Sequence, residues 1–290
     1  MALAVAVLAV STSAILIRAS EAPSIVAAFY RVSFTTLLLA PLAAWRHGTA
    51  FERLTWRDAS GAALAGIALA VHFAAWFESL AWTSVAASVA LVQAQPLFVA
   101  VTAPVILGER VGSRTVSGIV VAVVGIGIMS VADFFGTAAL GPNPTYGNAL
   151  ALFGALAMAG YVVAGRSIRQ RLPLLPYVLV VYSVAAVVLL ALVRVDGAAL
   201  VGYPPREWGL FVAMAVGPGV FGHTVVNWAL AHLESSVVSV TLLGEPVGST
   251  VLALVIFGEV PRLTTVFGGA VVLTGIAVTA RARRRGTETP

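Results

Sequence analysis

The chain contains no cysteine and no lysine, and only 10% of its 290 residues are charged. Without cysteine it forms no disulfide and no thiolate metal site, and it gives no reading of a redox compartment. Without lysine, all 17 basic residues are arginines. Together with the abundance of Ala, Val and Gly, that points to a GC-rich bacterial genome, a codon argument and not a physical one. Two catalytic signatures are also missing: neither H-E-x-x-H nor G-x-S-x-G occurs, and the four histidines are dispersed. A membrane enzyme would need such a constellation. No catalytic residue, cofactor or metal is therefore expected.

What the chain lacks in charge it has in apolar length. Hydrophobic residues make up 60% and the mean hydropathy is +0.99, far from the mix of a soluble domain. Ten apolar runs stand between the charges: 3–17, 24–44, 59–81, 84–107, 114–132, 147–165, 174–194, 207–230, 236–257 and 263–280. All but the short first run are long enough, at about 1.5 Å per residue, to cross a hydrocarbon core about 30 Å thick. The first is preceded only by Met1 and Ala2, so a trimmed N-terminus would explain its length. It has no basic leading region and nine more runs follow, so it reads as a span and not a signal peptide. No connection is long enough for a soluble domain.

The chain also repeats. At an offset of 150 residues, Gln95-Pro96 falls on Glu245-Pro246, Gly108-Glu109 on Gly258-Glu259, Gly118 on Gly268 and Gly125 on Gly275. Leu80-Ala81 likewise falls on Leu230-Ala231, and upstream Arg18 falls on Arg166 at an offset of 148. The expected architecture is all-α and integral to a membrane. Ten transmembrane helices form two five-helix repeats, 1–145 and 146–290, and a duplicated half in so apolar a chain points to a transporter. Five spans per half is an odd number, so the halves should be inverted relative to each other.

Arginine placement sets the orientation. With a cytoplasmic N-terminus, twelve arginines (46, 53, 57, 110, 114, 166, 169, 171, 281, 283, 284 and 285) face inside. Only Arg18, Arg194, Arg206 and Arg262 face outside, and Arg31 lies within a span. This positive-inside bias places both termini in the cytoplasm. It also accounts for the pI near 10.2 without a nucleic-acid partner, whose footprint would be a clustered basic face. The expected surroundings are the lipid bilayer and a small-molecule substrate, with the chain a monomer.

Candidate site residues follow from what breaks the spans. Pro96 and Pro246 lie mid-way along spans four and nine, and Gly217-Pro218-Gly219 interrupts span eight. Proline removes a backbone donor and clashes with the preceding turn. Opened backbone at membrane depth is tolerated only against protein or a water-filled cavity. Breaks in matching positions of two repeats point to a midplane site, although prolines also kink membrane helices for packing alone. The residue before each proline is polar, Gln95 and Glu245. Glu245 is the only acid mid-span, with Thr241 one turn earlier, and a carboxylate there is costly enough to face the interior. His223 and Asn227 form an i, i+4 polar pair on span eight. On span three, His72, Trp76 and Ser79 make one stripe. Trp76 is the one tryptophan away from the span ends that Trp45, Trp56, Trp82, Trp208 and Trp228 mark as an interfacial belt. Two readings stand for the stripe, helix packing and cavity lining. Arg31, two turns into span two, is equally a packing cation or a substrate group.

Taken together, "PLFVAVTAPVILGERV" in one half and "EPVGSTVLALVIFGEVP" in the other resemble the EamA-type proteins of the drug/metabolite transporter superfamily. The shared pattern is a proline-bearing helix, a Gly-Glu turn and a glycine-bearing last helix: Pro96, Glu109, Gly118 and Gly125, then Pro246, Glu259, Gly268 and Gly275. "FYRVSFTTLLLAPL", with Arg31, resembles the family's second span. The resemblance covers nearly the whole chain and implies export of small metabolites through a central cavity by alternating access. Within the family the chain is most similar to bacterial aromatic amino acid exporters of the inner membrane. Trp76, Phe77, Tyr161 and Tyr182 are available to stack on such a substrate, or to serve as ordinary packing. The expected substrate-binding set is His72, Trp76, Gln95, Tyr161, His223, Asn227 and Glu245, on spans 1, 3, 4, 6, 8 and 9. If protons drive export, Glu245 is the expected carrier, with His72 or His223 sharing the role. Another metabolite, such as a purine, a nucleotide-sugar or a drug-like compound, is the alternative cargo. A phosphate group would want more cavity cations than Arg31 supplies.

Overall fold

The computed structural model describes residues 2–52, 54–95, 97–99, 101–102, 112–135, 141–169, 173–225 and 244–286. These form ten helices and, among the described residues, no strand: α1 (Ala2–Ala19), α2 (Ser24–Glu52), α3 (Trp56–Trp82), α4 (Val85–Val92), α5 (Ser113–Phe135), α6 (Pro144–Arg169), α7 (Leu174–Asp196), α8 (Pro205–Met214), α9 (Gly244–Phe257) and α10 (Leu263–Gly286). A π-helical segment, Ala215–Thr224, continues α8. Four stretches, Ser24–Arg46, Trp56–Trp82, Pro144–Gly165 and Leu174–Asp196, are long and apolar enough to cross a membrane.

The burial pattern is that of a protein dissolved in lipid. Leu37, Leu64, Ile67, Val123, Val187, Val255 and Phe267 are exposed, while Ser11, Ser13, Arg31, Thr35, His72, Ser88 and Ser249 are buried. Water as the outer solvent would favour the opposite arrangement. Among the interfacial tryptophans, Trp45 and Trp56 are exposed at helix ends. Trp82 donates to Glu78 Oε1 at 2.7 Å, and Trp208 packs edge-on against Tyr30 and Phe211.

Helix ends are set locally. Thr55 caps α3 by accepting the Asp58 N–H at 3.2 Å, and Asp58 in the first turn suits the helix dipole. Thr83 closes α3 and Ser84 at once caps α4, accepting from the Ala87 N–H at 3.1 Å, so two residues turn the chain back. After α9, Gly258 adopts φ +66°, a conformation that favours glycine. The turn sends Glu259 back to the α3–α4 corner, where Oε1 accepts the Val85 N–H at 2.7 Å. Its Oε2 lies 3.4 Å from Arg18 Nη2. Arg18 in turn donates to the carbonyls of Leu80 and Thr83. The Gly-Glu turn of one half thus grips the helical corner of the other.

α3 is the most enclosed span, packed against α2, α6 and α7, while α1 packs against α9 and the π-segment. α5 and α10 form a close antiparallel pair with reciprocal contacts. A Cβ on Gly125 would meet Val272 N and Gly268 O at 2.6 and 2.7 Å; one on Gly275 would meet Ala122 N and Gly118 O at 2.5 and 2.6 Å. Each contact is the other's image under the 150-residue offset.

Candidate functional site

The site begins with two helix interruptions set by proline. Proline's ring clashes with the carbonyl four residues earlier. Regular helix stops four residues before Pro96, at Val92, and again four before Pro218, at Met214. After Val92 the chain turns at Gln93–Ala94, the Ala94 N–H reaching Leu91 O at 3.0 Å. Pro96 itself lies outside the described residues. After Met214 the backbone widens into the π-helix, the usual accommodation to an inserted proline. Thr35 of α2, whose hydroxyl donates to the Arg31 carbonyl at 2.8 Å, also lies 3.4 Å from the Ala215 carbonyl. It can come that near because residue 219 is glycine: a Cβ there would stand 2.5 Å from Thr35 Oγ1. A Cβ on Gly217 would stand 3.8 Å from Thr12 Oγ1, an ordinary contact.

α9 is described from Gly244 onward, with Glu245 and Pro246 at the head of the described part. The segment before Gly244, with Thr241, lies outside the described residues. Ser11 of α1 donates to the Glu245 carbonyl at 3.4 Å and Ser249 donates to the Ser11 carbonyl at 3.0 Å, pinning α9 to α1.

Between these breaks lies a small cavity, with about 480 Å³ of atom-free space when its open side is counted. One wall is α3: His72, Phe73 and Trp76. The His72 and Trp76 rings stack with centroids 5.9 Å apart, and His72 Nδ1 lies 2.9 Å from Gly154 O of α6. Opposite stand Gln93 and Gln95 of the α4 turn and Glu245 of α9, with Gln93 Nε2 donating to Glu245 Oε2 at 3.0 Å. α1 contributes Val10 and Ser13, α6 Met158 and the π-segment Pro218. Arg31 enters from α2. Its Nη1 donates to Ser13 Oγ at 2.8 Å, and its guanidinium lies 4.7 Å from the Phe73 ring centroid and 5.6 Å from that of Phe77.

His72, Trp76, Gln95, Glu245 and Pro218 therefore come together, as the sequence leads one to expect. Tyr161 does not join them: its ring stacks on Tyr177 at 6.4 Å, away from the lining. The backbone of His223 belongs to the π-segment and its side chain lies outside what is described, as does Asn227 altogether. Ser79 leaves the stripe to meet Ser88 of α4 at 2.6 Å. Of the aromatics offered for stacking, Trp76 lines the cavity and Phe77 is buried in the core, Phe73 taking its place. Arg31, Ser13 and Gln93 are additions. Gln93 had a readable signal, three residues before Pro96 on the turn the proline forces; Ser13 had none. Among the described residues no three metal-ligating side chains converge.

A solved crystal structure matches this fold with a TM-score of 0.66 over 99% of this chain and 98% of its own, at 21% identity. The pseudopaline exporter CntI of Pseudomonas aeruginosa is 26% identical over 219 residues, 76% of this chain and 74% of that protein. An uncharacterized transporter of Archaeoglobus fulgidus is 26% identical over 237 residues, 80% and 81% of the two chains. The EamA-like transporter family matches residues 1–131 and again 145–281. With nearly all of its length matched, the chain belongs to the EamA-like transporter family, multi-pass membrane transporters of small metabolites.

Proposed function

We propose that the chain exports small neutral amino acids, aromatic ones included, across the bacterial cytoplasmic membrane by alternating access. One observation carries this reading: two helix interruptions, at Gln93–Ala94 and Ala215–Thr224, meet Glu245 at the head of α9 around one cavity with an aromatic wall. Broken helices around a shared cavity are how membrane carriers expose polar backbone to a substrate, and the rings of Phe73 and Trp76 suit an apolar or aromatic side chain.

The halves 1–145 and 146–290 are read as inverted. Support comes from α5 and α10, whose reciprocal antiparallel contacts are those of a two-fold axis perpendicular to the helices; for helices that span a bilayer, such an axis lies in its plane. The arginine distribution supports cytoplasmic termini. Arg31 is the one cation among the described lining residues, which disfavours phosphate-bearing cargo. The similarity to the pseudopaline exporter favours a second reading, in which the cargo is another small metabolite.

Counterflow into proteoliposomes preloaded with phenylalanine tests the proposal. Labelled phenylalanine, leucine and tyrosine should exchange above protein-free vesicles. No exchange of any neutral amino acid, with exchange of a different metabolite class, would transfer the reading to the second cargo.

A further inference from the structure

We propose that the outer end of α1, from Arg18 to Glu21, is the strap that closes the cavity from outside, held shut by Glu207 and Glu259. This rests on the reading of the chain as an alternating-access carrier and goes beyond it by naming the contacts that must part. It does not depend on which cargo is carried.

Consecutive residues of the first half here bind the second half one after another. Arg18 Nη2 lies 3.4 Å from Glu259 Oε2, and the Ala19 carbonyl accepts from Arg206 Nη2 at 2.7 Å. The Ser20 hydroxyl donates to Glu207 Oε2, and the Glu21 N–H donates to Glu207 Oε1 at 3.1 Å. Arg206 Nη1 adds ion pairs of 3.2 Å to Glu207 and 3.5 Å to Glu21. The Glu207 side chain is only 2% exposed, so these donors stand in for its hydration. Arg18 also donates to the carbonyls of Leu80 and Thr83, which fastens the α3–α4 corner to the same strap.

The strap lies to one side of the cavity. Val10 and Ser13 of α1 line the cavity, and Arg18 stands roughly 8 Å beyond Ser13 at the helical rise. On α3, Thr83 stands roughly 10 Å beyond Trp76 in the same way. Arg18, Arg206 and the Glu259 turn belong to the ends that the arginine distribution places outside. A carrier must part its halves on one side of its site while holding them on the other. Hydrogen bonds and ion pairs suit the side that parts, because water replaces them as they open and the net cost is a fraction of their gross strength. The Arg206 side chain, 56% exposed, already meets solvent.

Thiol labelling tests the strap without any cargo, since the chain has no cysteine of its own. Met158→Cys places a single thiol on the cavity wall, and a charged, membrane-impermeant methanethiosulfonate is added to intact cells. With the strap intact this thiol should react far more slowly than Val201→Cys, an exposed position between α7 and α8. Glu207→Ala removes the acceptor that Ser20, Glu21 and Arg206 share, and should speed labelling at 158 by about 10-fold or more. Glu207→Gln keeps an oxygen for the Glu21 N–H and should stay nearer the wild-type rate. Ala185→Cys, at a fully buried core position of α7, reads general loosening and should stay unreactive throughout. Labelling of Met158→Cys as fast as Val201→Cys with the strap intact, which needs no change at Glu207, would overturn the proposal. So would an unchanged rate in Glu207→Ala, or an equal gain at Ala185→Cys, which would make Glu207 a stability residue only. A gain confined to inside-out vesicles keeps the strap as the gate and reverses the orientation. Failure of phenylalanine counterflow moves the cargo reading and leaves the labelling result to decide the gate.

Discussion

Removing the carboxylate of Glu259 should loosen the joint between the two halves, by an amount the geometry sets. Oε1 accepts the Val85 N–H at 2.7 Å, the first donor of α4. A short hydrogen bond to a charged acceptor contributes about 1.5–3 kcal/mol. The ion pair with Arg18 is longer, 3.4 Å, and the Arg18 side chain is 26% exposed, so solvent reduces it to about 0–1 kcal/mol. Arg18 keeps the carbonyls of Leu80 and Thr83 whatever stands at 259. Glu259→Ala should therefore cost about 2–3 kcal/mol, and Glu259→Gln, which retains an acceptor for Val85, about 1 kcal/mol. At about 2–4 °C per kcal/mol, thermal unfolding in detergent separates the two variants. Burial raises the Glu259 pKa above the ordinary carboxylate value, and Arg18 and the Val85 N–H only partly oppose it. A pKa raised in the folded state means that protonation favours folding. The contribution is full below the ordinary carboxylate pKa and is lost as pH rises through the raised value. Wild type should thus gain on Glu259→Gln as pH falls from about 8 to about 5. An alanine variant that melts with wild type, or a glutamine variant as damaged as alanine, would refute the assignment of the main contribution to the Val85 N–H.

Three further outcomes follow from other parts of the fold. Gly275→Ala places a Cβ 2.5 Å from Ala122 N, and backbone cannot swing aside, so α5 and α10 must separate at a cost of about 1–3 kcal/mol. Because the contacts are reciprocal, the same separation makes room at Gly125; the double Gly125→Ala, Gly275→Ala variant should melt above the additive expectation, and strict additivity would refute a shared opening. Trp76→Ala and Gln95→Ala should each slow phenylalanine exchange at unchanged membrane abundance, and wild-type rates in both would remove the cavity as the site. A carrier that equilibrates its cargo needs no coupling residue, so an imposed pH gradient should not drive accumulation in vesicles; accumulation against a substrate gradient would assign Glu245 to proton transport.

Much of the backbone was legible because proline and glycine act over a few residues. The stops at Val92 and Met214 are readable from Pro96 and Pro218, and the end of α9 from Gly258. Glu245 was legible as an interior residue because a carboxylate at that depth has few alternatives. The azimuth of a side chain on an apolar helix was not, since such a helix has no polar face to orient it. Met158 faces the cavity, and Tyr161, three residues on and rotated around α6, meets Tyr177 instead. Arg31 stood undecided for the same reason: its place depends on how α2 rolls against α1 and α3, which Ser13 and Phe73 decide from other helices. The Gly-Glu turn was visible as a repeated motif, but what Glu259 grips, the Val85 N–H, lies 174 residues away in sequence.

The duplication also explains why the site carries one carboxylate and not two. Helices matched by the repeat, α4 with α9 and α5 with α10, pack against each other, so equivalent residues on them approach a common axis. Position 95 corresponds to position 245, and an identical pair of glutamates there would place two like charges in one low-dielectric cavity, where each disfavours the other's ionised form. Glutamine at 95 removes that repulsion while keeping a polar group at the break. Glu245 then has Gln93, from the turn that Pro96 imposes, as the donor that orients it. Divergence at a single equivalent position thus leaves the cavity one carboxylate. Arg31 likewise has no charged counterpart in the second half: at the upstream offset of 148 residues, position 179 is Leu.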